Sequence, residues 1–242
     1  MERTLTYFVS DVHLGLQVAD AAGREARFVA FLKEIPPDRT EALYLMGDIW
    51  DFWYEYRHVV PKGYVRVFAA LTELMDAGVK VYFFRGNHDI WSYRYFEEMG
   101  MVRLDQPAVV EIGGKRFCIG HGDGLGPGNK GYKCLKAVFN SRVSQVLFSS
   151  LHPWIGFSLG NGWSRHSRLA KSEEYHFQGE KEPLYQFCAS FPEPVDYFIF
   201  GHYHCRVDMP VGKARLLLLS DWISSSNWMV YDREGGLSVI YR

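Results

Sequence analysis

The 242-residue chain has only four cysteines, Cys118, Cys134, Cys188 and Cys205, and no two of them form a CxxC pair. That argues against a zinc ribbon or a disulfide framework and for reduced, mostly buried thiols. Charge of one sign is missing too. With 27 Lys and Arg against 28 Asp and Glu the formal net charge is −1, which speaks against a surface adapted as a whole to nucleic acid. No apolar stretch reaches the roughly 18 residues needed to cross a bilayer, and the best candidate, VLFSSLHPWIGFSLG, is interrupted by His152 and Pro153. The opening MERTLTYFVSD carries an acid at Glu2 and reads directly into a strand, so no cleaved leader is expected. Internal repeats and low-complexity tracts are absent as well.

What is present is a hydrophobic content of 48% and an aromatic content of 16%, enough for a large core with rings to spare for an apolar partner. The length suits one domain over residues 1–242. Five apolar runs rich in β-branched or aromatic residues each stop at a polar cluster: LTYFVSDVH, ALYLMGDIWD, VKVYFFRGNHD, RFCIGHGD and VDYFIFGHYH. Each reads as a buried strand followed by a functional loop. Helix-period segments at 24–35 and 63–78 lie between the early runs, the second ending on Gly78 where a helix would stop. Alternating strand and helix predicts an α/β fold with its site at the carboxyl ends of the strands. The runs ARLLLLSDW, NWMVYD and LSVIYR predict an antiparallel closing section. The gap at 125–190 is too long for a plain loop and reads as a helical insertion, a cap within the domain.

The strand ends collect Asp11 and His13, Asp48 and Asp51, Asn87 and His88, His121, and His202 and His204. Taken singly, each is an ordinary turn residue or a satisfied histidine. Five such clusters predict convergence on one edge of one sheet. Oxygen and imidazole donors without a thiolate suit Mn, Fe or Zn, and seven ligands suit two ions sharing a bridging carboxylate. Asp89 reads as structural, anchoring its turn.

The series SDVH, GDIWD, GNHD, GHGD and GHYH resembles the motif set of the calcineurin-like metallophosphoesterases, in that family's order and over most of the chain. The resemblance implies a four-layer αββα sandwich. It also implies that Asp11, His13 and His204 hold one divalent ion and Asn87, His121 and His202 another, with Asp48 bridging. Water activated there would attack phosphorus in line with the leaving oxygen. His88 would protonate the leaving group or stabilise the transition state, with Asp51 orienting it.

Between Lys130 and Lys171 stand seven Lys and Arg and no acid, interleaved with residues such as Phe139, Leu147, Trp154 and Trp163. Such a segment suits an interfacial helix or an amphiphilic anionic substrate, and it also suits a capping hairpin with a solvated basic face. HGDGLGPGNKGYK, the basic aromatic insertion and LLLLSDWISSSNWMV resemble one branch of the family, the UDP-2,3-diacylglucosamine pyrophosphatases of lipid A synthesis. That branch implies hydrolysis of a UDP-linked diacyl sugar to UMP and a diacylglucosamine 1-phosphate. It implies manganese as the usual metal, with iron or zinc as alternatives, and peripheral residence on the cytoplasmic face of the inner membrane. Asn87, His88, Asn129, Ser164, Arg168, Lys171 and His202 would then contact substrate. On a helix Ser164, Arg168 and Lys171 would share one face. The chain departs from the branch in having His88 where known members have Arg, and GDIWDFW in place of a GDLFE-like loop. His88 with Asp51 therefore keeps a phosphomonoesterase or phosphodiesterase reading open, since an alkoxide leaving group needs a proton. A non-catalytic module on the same scaffold is the contrasting class, disfavoured because none of the seven ligands is missing. The sequence does not indicate an oligomeric state, and no nucleic-acid partner is expected.

Overall fold

Side chains in a strand alternate between faces, so a strand buried on both faces serves two cores at once. Phe8 and Val9 do so at the end of β1 (Leu5–Val9), one turned to each side. The structure is a computed structural model that describes residues 2–18, 20–169, 175–223 and 225–242, with the side chains of 165–169 outside the description. After β1 come α1 (Ala21–Glu34), β2 (Thr40–Leu45), α2 (Val65–Asp76), β3 (Lys80–Phe84), the short α3 (Tyr95–Glu98), β4 (Val102–Leu104), β5 (Ala108–Ile112) and β6 (Lys115–Ile119). The chain continues through α4 (Lys130–Asn140), α5 (Arg142–Ser149), α6 (Pro153–Leu169) and α7 (Pro183–Ala189). It closes with β7 (Tyr197–Phe200), β8 (Val207–Val211), β9 (Ala214–Leu218), β10 (Asn227–Asp232) and β11 (Gly236–Tyr241).

The strands form two sheets, ordered β11-β10-β1-β2-β3-β4 and β5-β6-β7-β9-β8. In the first, β1 to β4 are parallel and β10 runs antiparallel to β1. In the second, β6, β7 and β9 are parallel, flanked by the antiparallel β5 and β8. Phe8, Tyr44, Met46 and Phe84 of the first sheet meet Phe117, Ile119, Ile199 and Leu217 of the second. The Phe8 ring stacks on Tyr44 within its sheet at 5.2 Å and on Phe117 across the interface at 5.8 Å. Each such side chain, fully buried, contributes about 1.5–3 kcal/mol. On the outer face of the first sheet Val9, Leu43, Leu45 and Val81 pack under Phe28, Phe31 and Leu32 of α1 and Val67 and Leu71 of α2. On the outer face of the second, Cys118, Phe198, Phe200 and Leu216 pack under Leu184 and Cys188 of α7. This is the four-layer αββα sandwich.

Three expectations change. The polar loops do not share one sheet: those after β1, β2 and β3 belong to the first and those after β6 and β7 to the second. They meet because the two sheets stack with these ends together. The closing section is not antiparallel throughout, because β9, which forms an antiparallel hairpin with β8, pairs in parallel with β7 on its other side, while β10 and β11 form a second hairpin. Finally, α7 lies inside the 125–190 stretch yet is a layer of the sandwich, since Leu184 and Cys188 are buried in its core. The helices standing apart as a cap are α4, α5 and α6. The strands β4, β5 and β8 are not among those expected from the sequence, and Pro210 of β8 is tolerated because that strand lies at a sheet edge.

Candidate metal centre

The loops after β1, β2 and β7 leave their strands through a backbone that few residues accept. Asp11, His13, Asp48, His202 and His204 all have positive φ, between 50° and 70°. Asp and His tolerate this region better than most side chains, but the concentration of strain marks a functional site. The glycines preceding the motif residues let the loops touch. A Cβ on Gly86 would overlap Asp48, and one on Gly201 would overlap Ser10 and Asp11. Asp89 then ties two loops together, its Oδ2 accepting from the Ile49 amide at 2.9 Å and its Oδ1 from the Gly86 amide at 2.7 Å. That is the anchoring role expected of it.

Asp48 stands in the middle of the cluster. Its Oδ1 accepts from the His88 amide at 2.8 Å, while Oδ2 lies 3.4 Å from His121 Nε2, 3.9 Å from His13 Nε2 and 4.0 Å from His88 Nε2. Asp11 is held by Ser10 Oγ at 2.5 Å and by the His202 amide at 3.0 Å, both donating to Oδ2. His204 Nε2 lies 3.1 Å from Asp11 Oδ1 and 3.2 Å from His13 Nε2. His121 Nε2 lies 3.2 Å from Asn87 Oδ1, and the His202 ring sits 5.2 Å from that of His121. The seven expected ligands are therefore gathered in one place. Asp11, His13, Asp48 and His204 bring ligand atoms within 4.8 Å of one another, and so do His13, Asp51 and His88.

The donor set fits divalent cations for reasons internal to the chain. His121 Nδ1 faces the Met46 carbonyl at 3.1 Å, His88 Nδ1 the Asp51 carbonyl at 2.8 Å, and His204 Nδ1 the Asp221 carboxylate at 3.2 Å. An Nδ1–H so held leaves the Nε2 lone pair for the cluster, the arrangement of a metal-ligating imidazole. Asp11 Oδ1 is buried and turned into the cluster, where it faces the imidazoles of two other expected ligands, His204 Nε2 at 3.1 Å and His13 Nε2 at 3.6 Å.

Electrostatics agree. Burial disfavours the ionised carboxylate at Asp11, but hydrogen bonds from His13 and His204 hold it well below the usual range. Burial likewise works against the imidazolium at His121 and His204, yet Asp48 lifts the first to about 10 and Asp11 with Asp221 lifts the second to about 9. His202 goes the other way, to about 4, through burial and the neighbouring His121 charge. At neutral pH the metal-free centre therefore carries protons on His121 and His204 that a cation must displace. Metal uptake is expected to release protons and to tighten as pH rises from 6 to 9. Calorimetric titration with Mn2+ in two buffers of different ionisation enthalpy checks this, and identical apparent enthalpies would refute it.

The remaining expected residues are placed differently. Asp51 meets His88 through its carbonyl, while its carboxylate Oδ1 lies 3.3 Å from His13 Nδ1 and 3.7 Å from His88 Nδ1. Ser164 is buried and donates to Asp51 Oδ2 at 2.6 Å. Asn129 is exposed at the start of α4 with φ 50° and caps no amide with its side chain. Arg168 lies on α6 with its side chain outside the described atoms, and Lys171 lies outside the described residues. Sequence reading assigned no role to Asp221 or Asp123. Asp221 orients His204. Asp123 is buried, accepts at 2.6 Å from Gln106 Nε2, Tyr132 Oη and Lys136 Nζ, and so binds α4 to the loop of His121. Both acids lay inside quoted motifs, GHGD and SDW, where only a third dimension distinguishes a ligand from its support.

A buried cluster of carboxylates and imidazoles at the strand ends of an αββα sandwich, built to hold divalent cations, defines a metal-dependent hydrolase. The chain belongs to the calcineurin-like phosphoesterase family, whose model matches residues 5–206. It is similar to a UDP-2,3-diacylglucosamine hydrolase of Porphyromonas gingivalis, with 37% identity covering 95% of each chain. It is also similar to a protein of the same name from Yersinia pseudotuberculosis, with 31% identity covering 90% of each. An archaeal phosphodiesterase structure aligns over 98% of this chain and 99% of its own at 14% identity, with a TM-score of 0.49.

Proposed function

We propose that this protein cleaves the pyrophosphate of UDP-2,3-diacylglucosamine, giving UMP and 2,3-diacylglucosamine 1-phosphate, as a step of lipid A biosynthesis, with two Mn2+ ions bound at the centre. One observation carries the reading: the helices α4 to α6 are amphipathic and rooted on the two loops that hold Asp51 and His88. Phe139, Phe148 and Phe157 pack against Tyr54 and Trp91, Tyr54 donates to the Gln145 carbonyl at 2.8 Å, and Trp91 donates to that of Phe139 at 2.9 Å. Away from these roots large apolar side chains remain uncovered, among them Val143 at 68% exposure, Leu147 at 65% and Trp154 at 73%. A substrate with two acyl chains and a diphosphate needs apolar surface and cations beside the same catalytic loops, and the acid-free insertion offers both.

Asp11, His13 and His204 would hold one cation and Asn87, His121 and His202 the other, with Asp48 between them. Cations bound there withdraw charge from the phosphoryl oxygens and acidify water. The chain's own contribution is orientation and proton delivery. His88 keeps Nδ1 on the Asp51 carbonyl and turns Nε2 toward the cluster, where an imidazolium proton can pass to the leaving phosphate oxygen or offset its charge. Asn129, Arg168 and Lys171 are proposed as substrate contacts from the insertion.

Mn-loaded protein incubated with UDP-2,3-diacylglucosamine should yield UMP and the lipid 1-phosphate by mass spectrometry. No product, alongside metal-dependent turnover of a simple phosphodiester, would move the protein to another substrate of the same reaction class.

The uncovered apolar side chains and basic content of the insertion also support peripheral binding to an anionic membrane surface, the cytoplasmic face of the inner membrane in the proposed pathway. No helix among the described residues is long and apolar enough to cross a membrane. Flotation with vesicles containing anionic lipid should retain the protein at low salt and release it at high salt. Absence from the vesicle fraction at low salt would refute membrane binding.

A further inference from the structure

Helix α6 carries Gly156, Gly160 and Ser164 at four-residue intervals, which sets them on one face. That face lies against the loop following Asp51. A Cβ on Gly160 would overlap the Phe52 ring, and one on Gly156 would overlap the Tyr56 hydroxyl. The helix can lie so close only because these side chains are missing. One turn further along, Ser164 is 2% exposed, with its hydroxyl 2.6 Å from Asp51 Oδ2 and 3.3 Å from His88 Nδ1. The enclosed hydroxyl thus donates to a carboxylate of the protein itself.

Asp51 passes the contact on in two directions. Its Oδ1 faces His13 Nδ1 at 3.3 Å and its carbonyl accepts from His88 Nδ1 at 2.8 Å. We infer that Ser164 is a positioning residue through which the seating of α6 sets the orientation of Asp51, and through it of His13 and His88. The helical insertion then forms part of the support of the metal centre as well as a surface for substrate. This rests on the reading of the cluster as a metal centre and not on the identity of the lipid.

A substrate contact and a positioning contact separate in a measurement made without substrate. Mn2+ binding is followed by the loss of the free-ion EPR signal for the wild type, Ser164→Ala, Gly160→Ala and, as control, Ser158→Ala, whose exposed hydroxyl donates within α6 to the Trp154 carbonyl. Outer groups that orient metal ligands cost about 10–100-fold when removed, so a group one step further out is expected to weaken Mn2+ binding about three- to tenfold. Gly160→Ala removes no polar group but lifts the helix from Phe52, and should weaken binding comparably. With bis(p-nitrophenyl) phosphate as substrate, Ser164→Ala should lower kcat and leave KM near the wild-type value. Unchanged Mn2+ affinity in Ser164→Ala, with only KM raised, would overturn the inference, as would wild-type affinity in Gly160→Ala. A wild type that takes up no Mn2+ at all would overturn the metal reading itself, and this inference with it.

Discussion

Asp48→Ala is expected to lower turnover more than about a hundredfold while leaving the sandwich folded. The bound follows from outer-sphere partners alone costing about 10–100-fold in metal sites. Asp48 is the one carboxylate within 4.0 Å of His13, His88 and His121 together among the described residues, so its loss opens both halves of the centre at once. It also accepts from the His88 amide at 2.8 Å, a bond that alanine would remove. The fold should survive because β2 ends before Asp48 and its packing residues, Ala42 to Leu45, are untouched. Asp48→Asn separates the two effects, since an amide oxygen can still accept from the His88 amide while the charge is gone. Metal content by mass spectrometry, with kcat on the UDP-lipid, decides the matter. Full Mn2+ occupancy with more than a tenth of wild-type turnover would contradict a central role for Asp48.

His88 is expected to matter in proportion to how poor the leaving group is. His88→Ala should reduce hydrolysis of an alkyl phosphodiester by about 10²–10⁴-fold, the usual range for removing a proton donor. A pyrophosphate, whose departing phosphate needs little protonation, should lose less. His88→Arg makes the sharper comparison, because a guanidinium keeps a positive charge but does not give up a proton near neutral pH. It should retain most pyrophosphatase turnover while remaining as poor as the alanine variant on the alkyl ester. Steady-state rates of the three proteins on both substrates test this. Equal losses on both in His88→Arg would mean that the imidazole is needed for orientation, not for its charge or its proton. The half-buried ring, with Nδ1 fixed by a carbonyl and Nε2 directed at the cluster, is set up for the first outcome.

Much of the centre is legible in the sequence. Each ligand follows a strand closely enough for local pattern to find it, as with Asp11 two residues after Val9 and Asn87 three after Phe84. The side chains that hold the ligands were not legible as such. Asp221 reaches His204 across 17 residues, Asp123 reaches Lys136 across 13, and Ser164 reaches Asp51 across 113. Nothing in a carboxylate or hydroxyl beside a strand or on a helix says which ring, ammonium or acid it will meet. Ser164 shows the consequence: the residue that the resemblance assigns to substrate packs, with Gly156 and Gly160, onto the catalytic loop. Likewise α7 could not be told from the cap by its own sequence, because Leu184 and Cys188 mark a helix face without saying that a second sheet will cover it.

By itself the sequence determined the alternation of strand and helix, the donor types at the strand ends and the chemistry those donors suit. All of these depend on neighbours close in the chain, where period and spacing act directly. Only the tertiary structure decided that two sheets, not one, bring the loops together, and which of the remaining polar groups orient the ligands. Those outcomes depend on how distant apolar faces stack and on where backbones without Cβ atoms can approach, and neither is encoded within any single stretch of residues.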